Sequence, residues 1–196
     1  LFVHGPGAIH TKKPIESLED LADVKLRVGG GGVRMSEALG AVPVAMPASQ
    51  AYEAISKGVA DGAMFPYESV AGFRLSELVD YHLSIPGGLY TTPFVVMMNQ
   101  AKYDAMPADL QAALDEAGGI NGAKLLGAGW DAADKVGMQA ASDGGGTVTT
   151  LSDAEIARWA EQISFMEADW ISRADARGLD GAALLEDLKA TFSKYN

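Results

Sequence analysis

The sequence predicts an α/β fold with a parallel or mixed sheet, and three observations carry that expectation. Short apolar runs of strand character alternate with short helix-like segments, and glycines stop those segments one after another. No unbroken apolar run approaches the ~18 residues that a membrane span needs. With 196 residues, 48% of them hydrophobic and 21% charged, the chain is long enough to bury a real core.

Residues 1–14 are punctuated by Gly and Pro and read as a strand end followed by a loop, which places His4 and His10 on that loop. Ser17, followed by Glu19 and Asp20, reads as an N-cap with acids in the first turn of a helix. Residues 24–28 alternate in strand fashion and end at the four glycines 29–32. A helix over residues 35–39 closes at Gly40, a strand follows at 42–45, and Ser49 caps a helix over 50–57 that stops at Gly58. A strand over 63–65, a turn led by Pro66 and a helix over 69–78 come next. Residues 81–85 and 89–98 are apolar enough to be buried strands.

Pro107 suits the first turn of a long helix, because its missing N–H costs nothing there. That helix could extend to residue 142. Gly118, Gly119, Gly122, Gly127 and Gly129 weaken it by up to about 1 kcal/mol each and predict a bend or close packing. Residues 147–150 form a short strand, and Ser152 with Glu155 is a capping box. Beyond it Ile156, Trp159, Ile163, Met166 and Trp170 recur at helical spacing and read as core, up to Gly178. A final helix covers 181–195.

The net charge of -11 excludes nucleic acid as a partner, since no basic cluster is there to neutralise phosphates. The field of the whole chain repels an anion as well, so an anionic ligand needs a local, desolvated cation. The absence of cysteine removes disulfides, thiol catalysis and cysteine-bound metal together. His4, His10 and His82 are the only histidines, and none has a helix-spaced partner for a metal. The 29–32 glycines sit where a phosphate loop would, but no Gly-Lys-Ser/Thr follows and no dinucleotide fingerprint is completed. A plain turn, or a backbone nest touching a carboxylate, fits better. No cofactor is implied.

Arg27 stands out. It lies inside an otherwise apolar strand just before the glycine turn, and ligands in α/β sheets gather outside the carboxyl ends of strands. Its planar fork matches a carboxylate in bidentate fashion. Pairing with a structural acid on a neighbouring helix is the alternative, and the residues alone leave the two even.

Several stretches support a family resemblance. They are Lys13-Pro14-Ile15, Leu18-Glu19-Asp20-Leu21, Lys25-Leu26-Arg27-Val28, Leu39-Gly40-Ala41-Val42-Pro43-Val44, Tyr52-Glu53-Ala54-Ile55 and Gly58-Val59-Ala60-Asp61-Gly62. Met98-Asn99, Met106-Pro107-Ala108-Asp109-Leu110-Gln111, Trp170 and Gly178-Leu179-Asp180 continue the series. In this order and spacing they resemble the solute-binding proteins of TRAP transporters, of the dicarboxylate-binding (DctP) type.

That resemblance implies a periplasmic-binding-protein-like α/β lobe, its mixed sheet flanked by helices, with a long inter-lobe helix and C-terminal helices. The second lobe would occupy residues 1–88. A hinge strand and the long helix at 89–145 would contribute to the first lobe, and 146–196 would pack back on the second. The first lobe would begin upstream of Leu1, with roughly one hundred residues preceding it.

The resemblance further implies a periplasmic protein, exported by a signal peptide, that captures a small organic acid by hinge closure and delivers it to a membrane permease. Arg27 would clamp the carboxylate. Gly30 stands where relatives often carry a polar contact, so only backbone could serve there. Met64 and Phe65 would face the cleft where many relatives have polar residues, favouring a less polar acid. Tyr90 and Phe94 would wall the cleft, and His10 would reach it from its loop. A second class, a small α/β enzyme acting on a carboxylic acid with His10 or His82 as general base, stays open, although no partnered nucleophile or acid is visible.

Overall fold

The computed structural model describes residues 1–194. In chain order the first half runs β1 (Phe2–Val3), β2 (Ala8–Thr11), β3 (Lys25–Val28), α1 (Val33–Ala38), β4 (Val42–Ala45), α2 (Ala51–Ser56), β5 (Gly62–Phe65), α3 (Glu68–Gly72), β6 (Tyr81–Ser84) and β7 (Pro93–Phe94). The second half runs α4 (Gln100–Asp104), α5 (Ala108–Ala117), α6 (Gly119–Asp143), β8 (Thr147–Thr150), α7 (Asp153–Ile163), α8 (Phe165–Asp175) and α9 (Gly181–Ser193).

Six strands make a mixed sheet in the order β4-β3-β5-β2-β6-β8. β3 is parallel to β4 and β5, β2 is antiparallel to β5 and β6, and β8 closes the far edge parallel to β6. The period of two along the strands sorts side chains onto two faces. Leu26, Val28 and Met64 join Ile9, Leu21, Leu83 and Trp159 in one core cluster. Ala63 and Phe65 join Ile55, Leu75 and Val79 in the other. Arg27, between Leu26 and Val28, therefore belongs to the Phe65 face.

The α/β class and the strands near 24–28, 42–45, 63–65, 81–85 and 147–150 agree with the sequence, and several local expectations are corrected. The helix expected from Ser17 is a single 3-10 turn over Glu19–Leu21. The Asp20 carboxylate turns back to accept from the backbone N–H of Glu16 and Ser17 and from the Ser17 hydroxyl, so Ser17 donates rather than caps. His10 is in β2, with no exposed surface, rather than on a loop. Of residues 89–98, expected to be a buried strand, only β7 pairs, antiparallel to the two-residue β1. Val96 and Met97 are 80% and 83% exposed, because no longer strand among the described residues partners them.

The long helix does bend. It breaks between α5 and α6 at Gly118–Gly119, where Gly119 adopts a positive φ of 50°. The stretch after Ser152 divides at Ser164 into α7 and α8. Ser152 caps α7 by accepting from the Glu155 N–H, but the Glu155 carboxylate goes to the Leu18 N–H instead of closing the capping box. Trp159 is core and Trp170 is 40% exposed. α9 ends at Ser193, and Tyr195, expected in that helix, lies outside the described residues.

Two contacts place the later site. α6 crosses α3 at Gly137, where a Cβ would fall onto the Tyr67 carbonyl. One turn earlier on α6, Asp134 Oδ1 accepts the Glu68 N–H at 2.8 Å, satisfying a free donor at the start of α3.

Across β2 and β6, His10 and His82 face each other with Nδ1···Nδ1 at 2.9 Å. His10 Nε2 lies 3.2 Å from the Phe65 carbonyl, which can only accept. Nε2 of His10 therefore carries the proton, and His82 Nδ1 donates to His10 Nδ1. Burial, with the neighbouring His82 adding to it, holds His10 down at about 3 against an ordinary value of 6.5. The neutral pair thus stabilises the fold fully above pH 6.5, and that contribution declines as pH falls toward 3. Denaturant unfolding is expected to show roughly 2 kcal/mol lost between pH 7 and pH 5. A flat profile across that window would contradict the neutral pair.

Candidate functional site

A cavity of about 580 Å³ opens at the carboxyl ends of β3 and β5, where a parallel pair leaves room between its outgoing loops. Its floor is Arg27 and Val28 from β3, the 29–32 glycines, and Met64 and Phe65 from β5. One wall comes from Tyr90 and Phe94 with the segment between them. Trp130 on α6 completes it, stacked on Phe94 at 5.7 Å and 8°. His4, Glu68, Ser69 and Phe73 add to the lining.

Arg27 is 5% exposed. Its Nε and Nη2 both donate to the Met46 carbonyl, at 3.2 and 2.8 Å, and the guanidinium lies 4.2 Å over the Phe65 ring. The ring face suits a desolvated cation. No carboxylate of the described residues pairs with it, so the structural-acid alternative is not what the structure shows. Burial lowers the guanidinium from its ordinary value, with the nearby Tyr90 acting in the opposite sense. The Nη1 donors have no partner among the described residues, and Arg27 borders the cavity.

Tyr90 is held close. Its carbonyl accepts from the Gly7 N–H at 2.8 Å, and a Cβ on Gly7 would run into its ring. Burial pushes its hydroxyl up to about 12. The Glu68 carboxyl is raised by burial, with the charge of Asp134 adding to the shift and the Ser69 hydroxyl, which donates to it, opposing it.

Six of the residues singled out in the sequence (Arg27, Gly30, Met64, Phe65, Tyr90 and Phe94) meet around this one cavity. Gly30 has open space where a Cβ would stand, so it offers backbone alone. His10 is the exception: sealed within the sheet against His82, it does not border the cavity. Trp130, Glu68, Phe73 and His4 escaped the sequence reading. Trp130 and Glu68 come from helices whose crossing at Gly137 no local pattern announces. His4 was noted only as a loop histidine.

The family model described as bacterial extracellular solute-binding protein, family 7 (DctP), matches residues 3–170. A marine metagenome TRAP solute-binding protein specific for aromatic acid ligands, solved with meta-hydroxyphenylacetate, is 41% identical with a TM-score of 0.93, covering 99% of this chain and 62% of that one. A TRAP solute-binding protein from Rhodoferax ferrireducens, solved with copurified benzoate, is 37% identical with a TM-score of 0.92, covering 98% and 61%. The C4-dicarboxylate-binding periplasmic protein DctP of Rhodobacter capsulatus is 28% identical over 83% of this chain and 49% of its own length. The chain thus spans about half to three fifths of these relatives. These relatives are described as solute-binding proteins, and the two histidines on which the general-base alternative relied are fully buried in the sheet, away from the cavity.

Burying an unpaired guanidinium is costly, and an apolar side chain of similar volume avoids that cost. Arg27→Met is therefore expected to leave the unliganded protein as stable as the parent, or more stable by roughly 1–3 kcal/mol, in denaturant titrations. A loss of stability on replacement would show that Arg27 serves the fold rather than a ligand.

Proposed function

We propose a function on the premise that the chain belongs to bacterial extracellular solute-binding protein family 7, as the match over residues 3–170 shows. The protein is the solute-binding component of a TRAP transporter. It captures an aromatic monocarboxylate in the periplasm and passes it to a membrane permease.

One observation carries this reading: a buried guanidinium without a counter-charge among the described residues borders a cavity walled by Phe65, Tyr90, Phe94 and Trp130. Ring faces around a desolvated cation suit a ligand that is itself a ring bearing a carboxylate. Offset or edge contacts between aromatic groups add about 0.5–1.5 kcal/mol beyond their area. Met64 and Phe65 leave little for a polyhydroxylated acid to bind, and a single arginine suits a single carboxylate. The ligands of the two solved relatives, meta-hydroxyphenylacetate and benzoate, are of this class and support the reading.

Arg27 clamps the carboxylate, and closure of two lobes about the 89–145 region then excludes water. Exclusion matters, because an exposed ion pair contributes only about 0–1 kcal/mol. Losing one partner of a buried charged pair costs about 2–5 kcal/mol. Arg27→Ala in the full-length protein is accordingly expected to weaken benzoate binding at least ~30-fold by calorimetry. Unchanged affinity would remove the clamp from the account.

A further inference from the structure

The aromatic wall offers a ring little beyond contact area, but His4 and Glu68 add polar groups to the same cavity. His4, 7% exposed, stands edge-on to Tyr90 at 5.4 Å, with Phe94 and Trp130 at 5.9 and 6.2 Å. Its Nδ1 lies 2.6 Å from the Gly5 carbonyl. A carbonyl only accepts, so Nδ1 carries the proton, and in the neutral ring Nε2 presents a lone pair. That lone pair has no partner among the described residues, and His4 borders the cavity.

Glu68 lines the same cavity. Its backbone N–H is tied to Asp134 and its Oε1 accepts from Ser69 at 2.5 Å, so the carboxyl is held in place. The Glu68 carboxyl belongs to α3 and the guanidinium to β3. A bound acid is thereby oriented: its carboxylate goes to Arg27, and Glu68 repels it. What His4 and Glu68 accept is a neutral donor. A ring hydroxyl is such a group, and it can sit within an aromatic wall without a second charge.

We propose that His4 Nε2, backed by Glu68, is the specificity-determining acceptor for a ring hydroxyl, so that the cavity prefers a hydroxylated aromatic monocarboxylate to the unsubstituted acid. This deepens the aromatic-acid reading above and rests on it. A site built to pair a hydroxyl discriminates strongly against the analogue lacking it, because its own polar group is then left buried and bare.

The test is calorimetry on the full-length protein with benzoate, 3- and 4-hydroxybenzoate, and the methyl ether of whichever hydroxy acid binds tighter. The tighter hydroxy acid is expected to exceed benzoate by at least ~10-fold, and its methyl ether, which cannot donate, to lose that advantage. His4→Phe keeps an aromatic ring and removes the acceptor. It is expected to bring the ratio of hydroxy-acid to benzoate affinity, read within the variant itself, to about one. Equal binding of benzoate and both hydroxy acids, a methyl ether as tight as its parent, or a preference that survives in His4→Phe overturns the assignment of His4 while the aromatic-acid reading stands. Failure of every acid to bind overturns both. The methyl-ether arm uses the unaltered protein and decides the matter even if His4→Phe does not fold.

Discussion

A positive charge held in the interior with no negative one of the described residues beside it is the constraint around which this structure is arranged. Arg27 is nearly sealed, donates among the described residues to the Met46 carbonyl alone, and rests on the Phe65 ring. In a chain of net charge -11, acids are plentiful, yet none of the described ones pairs with it. Keeping a guanidinium desolvated and unpaired is costly for folding and favourable for binding, because the anion that arrives meets a donor fork already stripped of water and fixed in direction. The strand places it: in β3, Arg27 alternates with Leu26 and Val28, whose burial in the core turns the guanidinium to the Phe65 face.

The sheet topology then supplies the room. Parallel β3 and β5 release their loops at the same end, and antiparallel β2 brings the segment carrying His4 toward that end as well. Glycines keep the space open: no atom lies within 4 Å of where a Cβ of Gly29, Gly30 or Gly31 would be. From the other side α6 brings Trp130 to the cavity and Asp134 to the start of α3, a crossing that depends on the bare backbone of Gly137. Charge, ring faces and polar groups thus come from parts of the chain far apart in sequence.

Much of this was legible in the sequence, and the limits have physical causes. The alternation around Arg27 and the glycines after it signalled a strand and its end, because both are local properties. The run at 89–98 looked like a buried strand, since hydrophobicity reports a preference for burial and not whether a partner is present; here only Pro93–Phe94 pairs. Ser17 carried a cap signal that Asp20 pre-empted with a stronger, charge-assisted set of hydrogen bonds. His10 was misplaced because a short buried strand between Pro- and Gly-rich segments reads as a loop. Trp130 and Glu68 could not be joined in advance, since their meeting depends on a helix crossing more than sixty residues apart in the chain.

The most direct trial of the central claim is a crystal structure of the full-length protein grown with benzoate. The account predicts both carboxylate oxygens within about 3 Å of the Arg27 Nη atoms, and the ring among Phe65, Tyr90, Phe94 and Trp130. Benzoate bound elsewhere, or in the cavity with Arg27 still donating to the Met46 carbonyl alone, would contradict it.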